Sequence, residues 1–480
     1  GLGAHWPRLL ATMAQRPGTK LASQTAAGAA EGLQRTGPPA KEAYQVMVGE
    51  QRADPGARES FRRLFGYRRL GPAESLAFIL APVVAVAVRL RMMEGEKTLL
   101  EIGMMALRAA AATLLAFVLH LELLRRPRRY DATEVRLPDS RLLPLEDGTL
   151  VHCLVKTSAG KKDPKTAGRL LHFSHGFGAS SLSFAPLLED LSARLSGQVC
   201  LVAQDASGFG MSPRQPLTKW RTYTGQSQVG QALDVAEQLR PSRAAEETFF
   251  GHSMGSFTAT EAATNRATVS PAVGPTKLVL IAPAIVARGG GEAKRSSLWR
   301  LSRVFTPLVT LVQKGLFVSA VPFLYFALWR LVGSEKFWSR GLSLSFATNQ
   351  VDTGTLLRYR WQSLTKRWDT GMVLMLYARL FGQASVLDMM DGVVNKLSKL
   401  ASEGKVDLLI LHGTEDAVVP ISNSRNLHKL VPGAKLIELK GAGHCPHEED
   451  TQRFAQTIEK FLNSPRNDKD SSTPQVVEWK

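Results

Sequence analysis

From about residue 131 the chain repeats one pattern: a short apolar run, a longer segment of helical periodicity, then another apolar run. The runs are Arg169–Ser174, Val199–Gln204, Thr248–Gly251, Lys277–Ala282, Val406–Leu411 and Ala434–Leu439. Runs of this length are strands buried on both faces, and their separation by helices predicts a mostly parallel central sheet. Ahead of them, Leu142–Leu145 and Thr149–Val155 flank Glu146-Asp147-Gly148, an Asp-Gly signal for a β-hairpin. Residues 131–286 and 406–463 therefore read as two parts of one α/β core.

Between them, residues 287–405 break the rhythm with helix-like sequence holding 15 of the 35 aromatic residues. This is a long helical insert. Within it, Gly315–Trp329 is a 15-residue uncharged run, too short to span a bilayer and interrupted by Pro322. Two apolar stretches precede the core. Leu76–Val88 is also too short to span; Ile102–Leu124 is long enough but carries Arg108, His120 and Glu122, and ends in Arg125, Arg126, Arg128 and Arg129. Residues 46–130 read as an apolar helical region and a candidate membrane anchor, the alternative being helices that cover the core. Residues 1–45 are either an organelle-type leader or a disordered tail, since no acidic residue precedes Glu31. Polar residues 464–480 read as a disordered tail.

The net charge of +18 first suggests nucleic acid or an anionic membrane. Its distribution decides between them. Residues 1–130 carry 19 Lys/Arg against 10 Asp/Glu, residues 287–405 carry 17 against 7, and the rest is nearly neutral. Neither basic segment holds a nucleic-acid recognition motif, so a membrane surface is the expected partner and nucleic acid is not. Three cysteines, Cys153, Cys200 and Cys445, supply neither a disulfide framework nor metal-ligand spacing.

The chemistry-bearing motif is Gly251-His252-Ser253-Met254-Gly255, which follows a predicted strand. A strand-to-helix turn this sharp strains the serine backbone and leaves no room for side chains two residues to either side, hence Gly251 and Gly255. Further motifs follow predicted strands. His175-Gly176-Phe177-Gly178 offers the Phe177 N–H, which would pair with that of Met254 as an oxyanion hole, the loop turning on Gly176 and Gly178. Asp205 opens a Gly-rich turn. Asp416 lies after Val406–Leu411, and His444 after Ala434–Leu439. Glu415 and His447 are the neighbouring alternatives for the acid and the base. His252 and His172 read as packing residues, and His175 as a donor of a structural hydrogen bond.

The order Ser253, Asp416, His444, each just past a strand, resembles the α/β-hydrolase superfamily over roughly 135–463. More narrowly, Leu137-Pro138-Asp139-Ser140 and the run at 175–180 resemble large, mostly uncharacterised α/β-hydrolase proteins of plants and algae. The resemblance implies a helical cap for 287–405 and a serine hydrolase that works without metal or organic cofactor. Ser253 would be the nucleophile, His444 the general base, and Asp416 the group that orients the imidazole. The aromatic cap suggests a lipophilic ester substrate, with Arg358, Arg360 and Trp361 as candidate contacts. A C–C bond hydrolase and a non-catalytic lipid-binding protein are the alternatives. The expected location is intracellular and membrane-associated, in a plastid or another organelle.

Overall fold

The computed structural model describes residues 40–49, 54–65, 67–68, 126–127, 129–132, 134–158, 168–195, 199–240, 246–269, 276–286, 350–382, 386–464, 473–479 and, with short gaps, 313–348. Two helices, α1 (Ala40–Val48) and α2 (Pro55–Leu64), precede the sheet. The sheet then opens with a hairpin of β1 (Ser140–Pro144) and β2 (Leu150–Thr157). Its turn falls at Asp147-Gly148, where Gly148 takes φ +75° and Asp147 Oδ1 accepts the Thr149 N–H at 2.8 Å. This is the hairpin the Asp-Gly signal predicts.

Helices and strands then alternate: β3 (Arg169–Ser174), α3 (Ala185–Arg194), β4 (Val199–Gln204), α4 (Gly225–Leu239), β5 (Glu246–His252), α5 (Gly255–Val269) and β6 (Thr276–Ile281). After β6 come the insert helices α6 (Glu335–Ser343), α7 (Thr353–Arg360), α8 (Trp368–Phe381) and α9 (Val386–Ser402). The core resumes with β7 (Val406–Gly413), α10 (Ser422–Leu430), β8 (Lys435–Lys440), α11 (Pro446–Glu449), α12 (Thr451–Asn463) and β9 (Gln475–Glu478). The nine strands run in the order β9-β8-β7-β6-β5-β3-β4-β2-β1, parallel except where β2 meets β1 and β4.

Alternation along each strand feeds two apolar layers. Leu171 and Phe173 of β3, Val279 and Ile281 of β6, and Leu409 and Leu411 of β7 join one cluster with α3 and α12. Leu170, Leu278, Leu280, Leu408 and Ile410 join the other, with α4, α5 and α9. The chain passes from β3 out to β4 and then returns to place β5 on the other side of β3. Such a reversal opens a crevice at the carboxyl ends of β3 and β5, where open α/β sheets hold their sites.

Two boundaries differ from the sequence reading. α1 buries Ala43, Tyr44, Val46 and Met47 in the same cluster as α3 and α12, so a division at 45/46 cuts through a helix of the core. A nine-residue amphipathic helix is too short to stand out from its polar flanks by pattern alone. The tail of 464–480 is not disordered throughout. β9 adds a parallel strand to β8, and Trp479 is buried against Arg453 and Phe454. Among the described residues no helix is long and apolar enough to cross a membrane. The apolar stretches Leu76–Val88 and Ile102–Leu124, and the leader-like residues 1–39, lie outside the described residues.

Candidate active site

Ser253 stands between β5 and α5 with φ +51°, a left-handed conformation that ordinary residues avoid at a cost on the order of 1–3 kcal/mol. The turn is fixed on both sides: Ser253 N–H donates to Ile281 O at 2.9 Å, and Ser253 O accepts from Ser256 and Ala284 at 3.1 Å each. A Cβ on Gly251 would lie 2.5 Å from Ser256 Cα, and one on Gly255 would lie 2.2 Å from Ser174 O. Both glycines are therefore required by contact, because the helix start and the β3 end close on the turn.

The loop after β3 lies against this turn. A Cβ on Gly176 would sit 3.1 Å from Ser253 Cβ. Gly178 takes φ +74° and redirects the chain. Among the described residues, the backbone N–H groups of Phe177 and Met254 find no protein acceptor. His175 is buried and neutral, its basicity lowered by burial. Its Nε2 accepts the Ala206 N–H at 3.1 Å, which leaves Nδ1–H to donate to Gly176 O at 2.7 Å. The structural role expected of His175 is the one it has.

β7 and β8 deliver the other two groups. His444 Nδ1 lies 2.7 Å from Asp416 Oδ2. The same oxygen is 3.1 Å from His412 Nε2, while Oδ1 accepts the N–H groups of Val418 and Val419 at 2.8 Å each. Burial works against the Asp416 charge, but the hydrogen bonds from His412 and His444 prevail and hold the carboxyl well below the usual carboxylate range. Glu415 points to solvent, away from this pairing.

His252 links the elbow to this pair. Its Nε2–H donates to His444 O at 3.0 Å, and its ring centre is 4.8 Å from that of His444. It is a packing residue, as expected, wedged between His444 and His447. His447 is buried against Phe184, with both ring nitrogens lacking hydrogen bonds. The Ser253 hydroxyl is not hydrogen-bonded to His444 here, a looseness common in sites without substrate. His172 is a core residue, bonded to Gln204 at 2.9 Å and pushed down to about 4 by burial. Asp205 is fully buried and holds its turn by accepting from His152, Ser181 and Met211.

The three candidate substrate contacts are corrected. Arg358 is buried and committed to Glu448 at 2.8 Å, Met47 O at 2.5 Å and Thr355 Oγ1 at 2.7 Å. Arg360 lies 4.1 Å over the Phe65 ring, and Trp361 is wholly buried, donating from Nε1 to Val135 O at 2.9 Å. All three join the insert to the N-terminal elements. Their pattern of cations beside an aromatic group suits ligand binding and intramolecular docking equally, so spacing does not separate the two.

Sequence reasoning missed His412, Glu448 and Glu449. His412 was legible only as a strand end, though a His four residues before Asp416 was a usable signal. Glu448 and Glu449 gain meaning only through the insert residues that meet them. A small cavity is lined by Ser174, His175, Gln204, Ala206, Gln228, Met254, Gly255 and Thr258. Among the described residues, no three His, Cys, Asp or Glu side chains converge as metal ligands.

The sequence profile of the Alpha/beta hydrolase family matches residues 170–457. An uncharacterized protein of Mycobacterium tuberculosis is 29% identical over 80 residues, 17% of this chain and 24% of that protein. The 2-hydroxymuconate semialdehyde hydrolase of Pseudomonas putida is 36% identical over 56 residues, 12% of this chain and 20% of that one. These matches span about a quarter or less of the curated relatives' length. Among solved structures, an esterase from Exiguobacterium antarcticum aligns with TM-score 0.45 and 18% identity, covering 67% of this chain and 99% of the other. A meta-cleavage product hydrolase from Pseudomonas fluorescens gives TM-score 0.44 and 17% identity, over 67% and 97%. With a profile match over more than half of its length, this chain belongs to the alpha/beta hydrolase family.

Proposed function

We propose that the chain is a serine hydrolase that cleaves a lipophilic carboxylic ester through Ser253, His444 and Asp416. The observation that carries this reading is the left-handed Ser253, placed beside a loop with two unused N–H groups and near a buried His444–Asp416 pair. His444 takes the Ser253 proton as Oγ attacks the ester carbonyl. Asp416 holds the proton of His444 on Nδ1 and stabilises the imidazolium that forms. The N–H groups of Phe177 and Met254 receive the developing oxyanion. His444 then protonates the leaving alcohol, and water attacks the acyl-enzyme by the reverse sequence, releasing the acid and restoring Ser253.

Attachment to a membrane belongs to the same proposal. Leu316 and Phe323 of the insert are 67% and 70% exposed, and Leu376 and Leu380 lie exposed on α8. Lys336 and Arg340 of α6 are exposed as well. Exposed apolar and cationic groups on the insert suit an anionic lipid surface. Ser253→Ala should abolish both p-nitrophenyl ester hydrolysis and fluorophosphonate labelling. Retention of either in the purified variant would defeat the reading. A second reading, hydrolysis of a C–C bond next to a carbonyl, is favoured by the short similarity to 2-hydroxymuconate semialdehyde hydrolase. Turnover of a vinylogous diketone without turnover of esters would select it.

A further inference from the structure

His444 lies on a loop hydrogen-bonded to the insert at four positions, His444, Cys445, Glu448 and Glu449. Ser345 O accepts both His444 N–H at 2.9 Å and Cys445 N–H at 3.2 Å. Glu449 spans the junction: Oε1 accepts Gly443 N–H at 2.7 Å, and Oε2 accepts Ala347 N–H at 3.2 Å. Glu448 receives Tyr359 Oη–H at 2.7 Å and Arg358 Nε–H at 2.8 Å, and Arg358 continues to Met47 O of α1. The approach is close enough that a Cβ on Gly443 would lie 2.7 Å from Ala347 N and 2.9 Å from Ser345 O.

We propose that Glu449 is a positioning residue for His444, locking the histidine loop to the insert segment 345–347 so that the base is aligned only while that segment is docked. The proposal rests on His444 being the base. Of these contacts, Glu449 is the one made by a single side chain to both partners. Its two oxygens satisfy one N–H on each side of the junction, so loop and insert share one charge-assisted acceptor. Displacing 345–347 would remove the acceptor of the His444 N–H along with half of the Glu449 bridge. The insert would then gate the chemistry as well as cover the site, and movement at α1 could reach the base through Arg358 and Glu448.

The test compares Glu449→Gln and Glu449→Ala with wild type and with His444→Ala on p-nitrophenyl butyrate. The readouts are kcat, KM, fluorophosphonate labelling rate, the pH profile of kcat/KM and the thermal midpoint. A misplaced base costs up to about 100-fold in rate. Glu449→Ala should lose kcat on that scale with KM nearly unchanged. Glu449→Gln, which keeps one acceptor and its shape, should lose less. Labelling should fall in step with kcat, and the acid limb of the profile should move. Wild-type kcat in a folded Glu449→Ala overturns the proposal, as does a loss of kcat that only follows the thermal midpoint. Failure of both variants to fold assigns Glu449 to folding and overturns it too. Activity surviving His444→Ala removes the catalytic reading itself, a different outcome from inert Glu449 variants beside a dead His444→Ala.

Discussion

His412 Nε2 lies 3.1 Å from Asp416 Oδ2, the same oxygen that meets His444 Nδ1 at 2.7 Å. Two imidazoles and two backbone N–H groups thus surround one buried carboxylate, and its proton affinity falls accordingly. A carboxyl lowered in this way adds stability that is fully present above its ordinary pKa near 3.8 and is lost as pH falls through the depressed native value. The difference in thermal midpoint between wild type and Asp416→Asn should therefore be constant near neutrality and shrink only below about pH 4. The same variant should lower kcat by about 10⁴-fold, because the imidazole loses its correct tautomer. A difference that already shrinks between pH 7 and 5 would show that the carboxyl is not depressed.

The His175 Nδ1–H bond to Gly176 O acts on the peptide whose nitrogen is Phe177 N. All peptide bonds described are trans, so the carbonyl and the N–H of that unit point opposite ways, and fixing one fixes the other. His175→Ala should free the peptide and lower kcat by about 10- to 100-fold, short of or equal to the loss of a whole oxyanion donor. KM should change little, because the ground-state carbonyl makes less use of that donor. Equal losses in kcat and in KM-weighted binding would move His175 out of this role.

Four buried histidines, His172, His175, His252 and His447, are all held neutral. Burial is the main cause in each, and it carries His447 down to about 3. The unfolded chain binds their protons from about pH 6.5 downward while the native chain refuses them. Stability from this source is therefore complete above pH 6.5 and falls as pH drops toward the native values, by up to about 1.4 kcal/mol per pH unit for each group. His447 lies between Phe184 and Phe454 with neither nitrogen hydrogen-bonded, so an apolar ring keeps its packing. His447→Phe should flatten the acid limb between pH 6.5 and 4 by about one proton. An unchanged slope in urea unfolding over that range contradicts this account.

The core was legible because its strands are buried on both faces, which makes them continuous apolar runs. Arg169–Ser174 and Val199–Gln204 match to the residue. The elbow was legible because Gly251 and Gly255 are forced by sterics, and forced residues leave a pattern in sequence. Arg358, Arg360 and Trp361 were misread because the partners that consume them, Met47, Glu448, Phe65 and Val135, lie far away in the chain. Glu449 was invisible for the same reason: its acceptors serve Ala347 and Gly443, which only the folded insert brings together.

β9 was hidden by its polar approach, and its anchor is one side chain. Trp479 is 3% exposed, with its ring 5.3 Å from the Arg453 guanidinium and 6.4 Å from the Phe454 ring. The Trp479 backbone N–H also donates to Lys440 O at 2.8 Å, extending the β8–β9 ladder by one bond. Phe454 belongs to the cluster that packs α12 on the sheet, so the last strand is fastened to the main core. Truncating a buried Trp costs about 3–5 kcal/mol where the surroundings cannot collapse, and an edge strand relaxes more easily. Trp479→Ala should therefore lose about 2–3 kcal/mol in urea unfolding, at or just below the bottom of that range. It should also raise amide exchange at Glu438 and Lys440, whose backbone groups lie on the edge that β9 covers. Removal of residues 473–480 should add little to the loss caused by Trp479→Ala. A truncation far more damaging than the single substitution would assign the anchoring to the strand backbone instead of the indole.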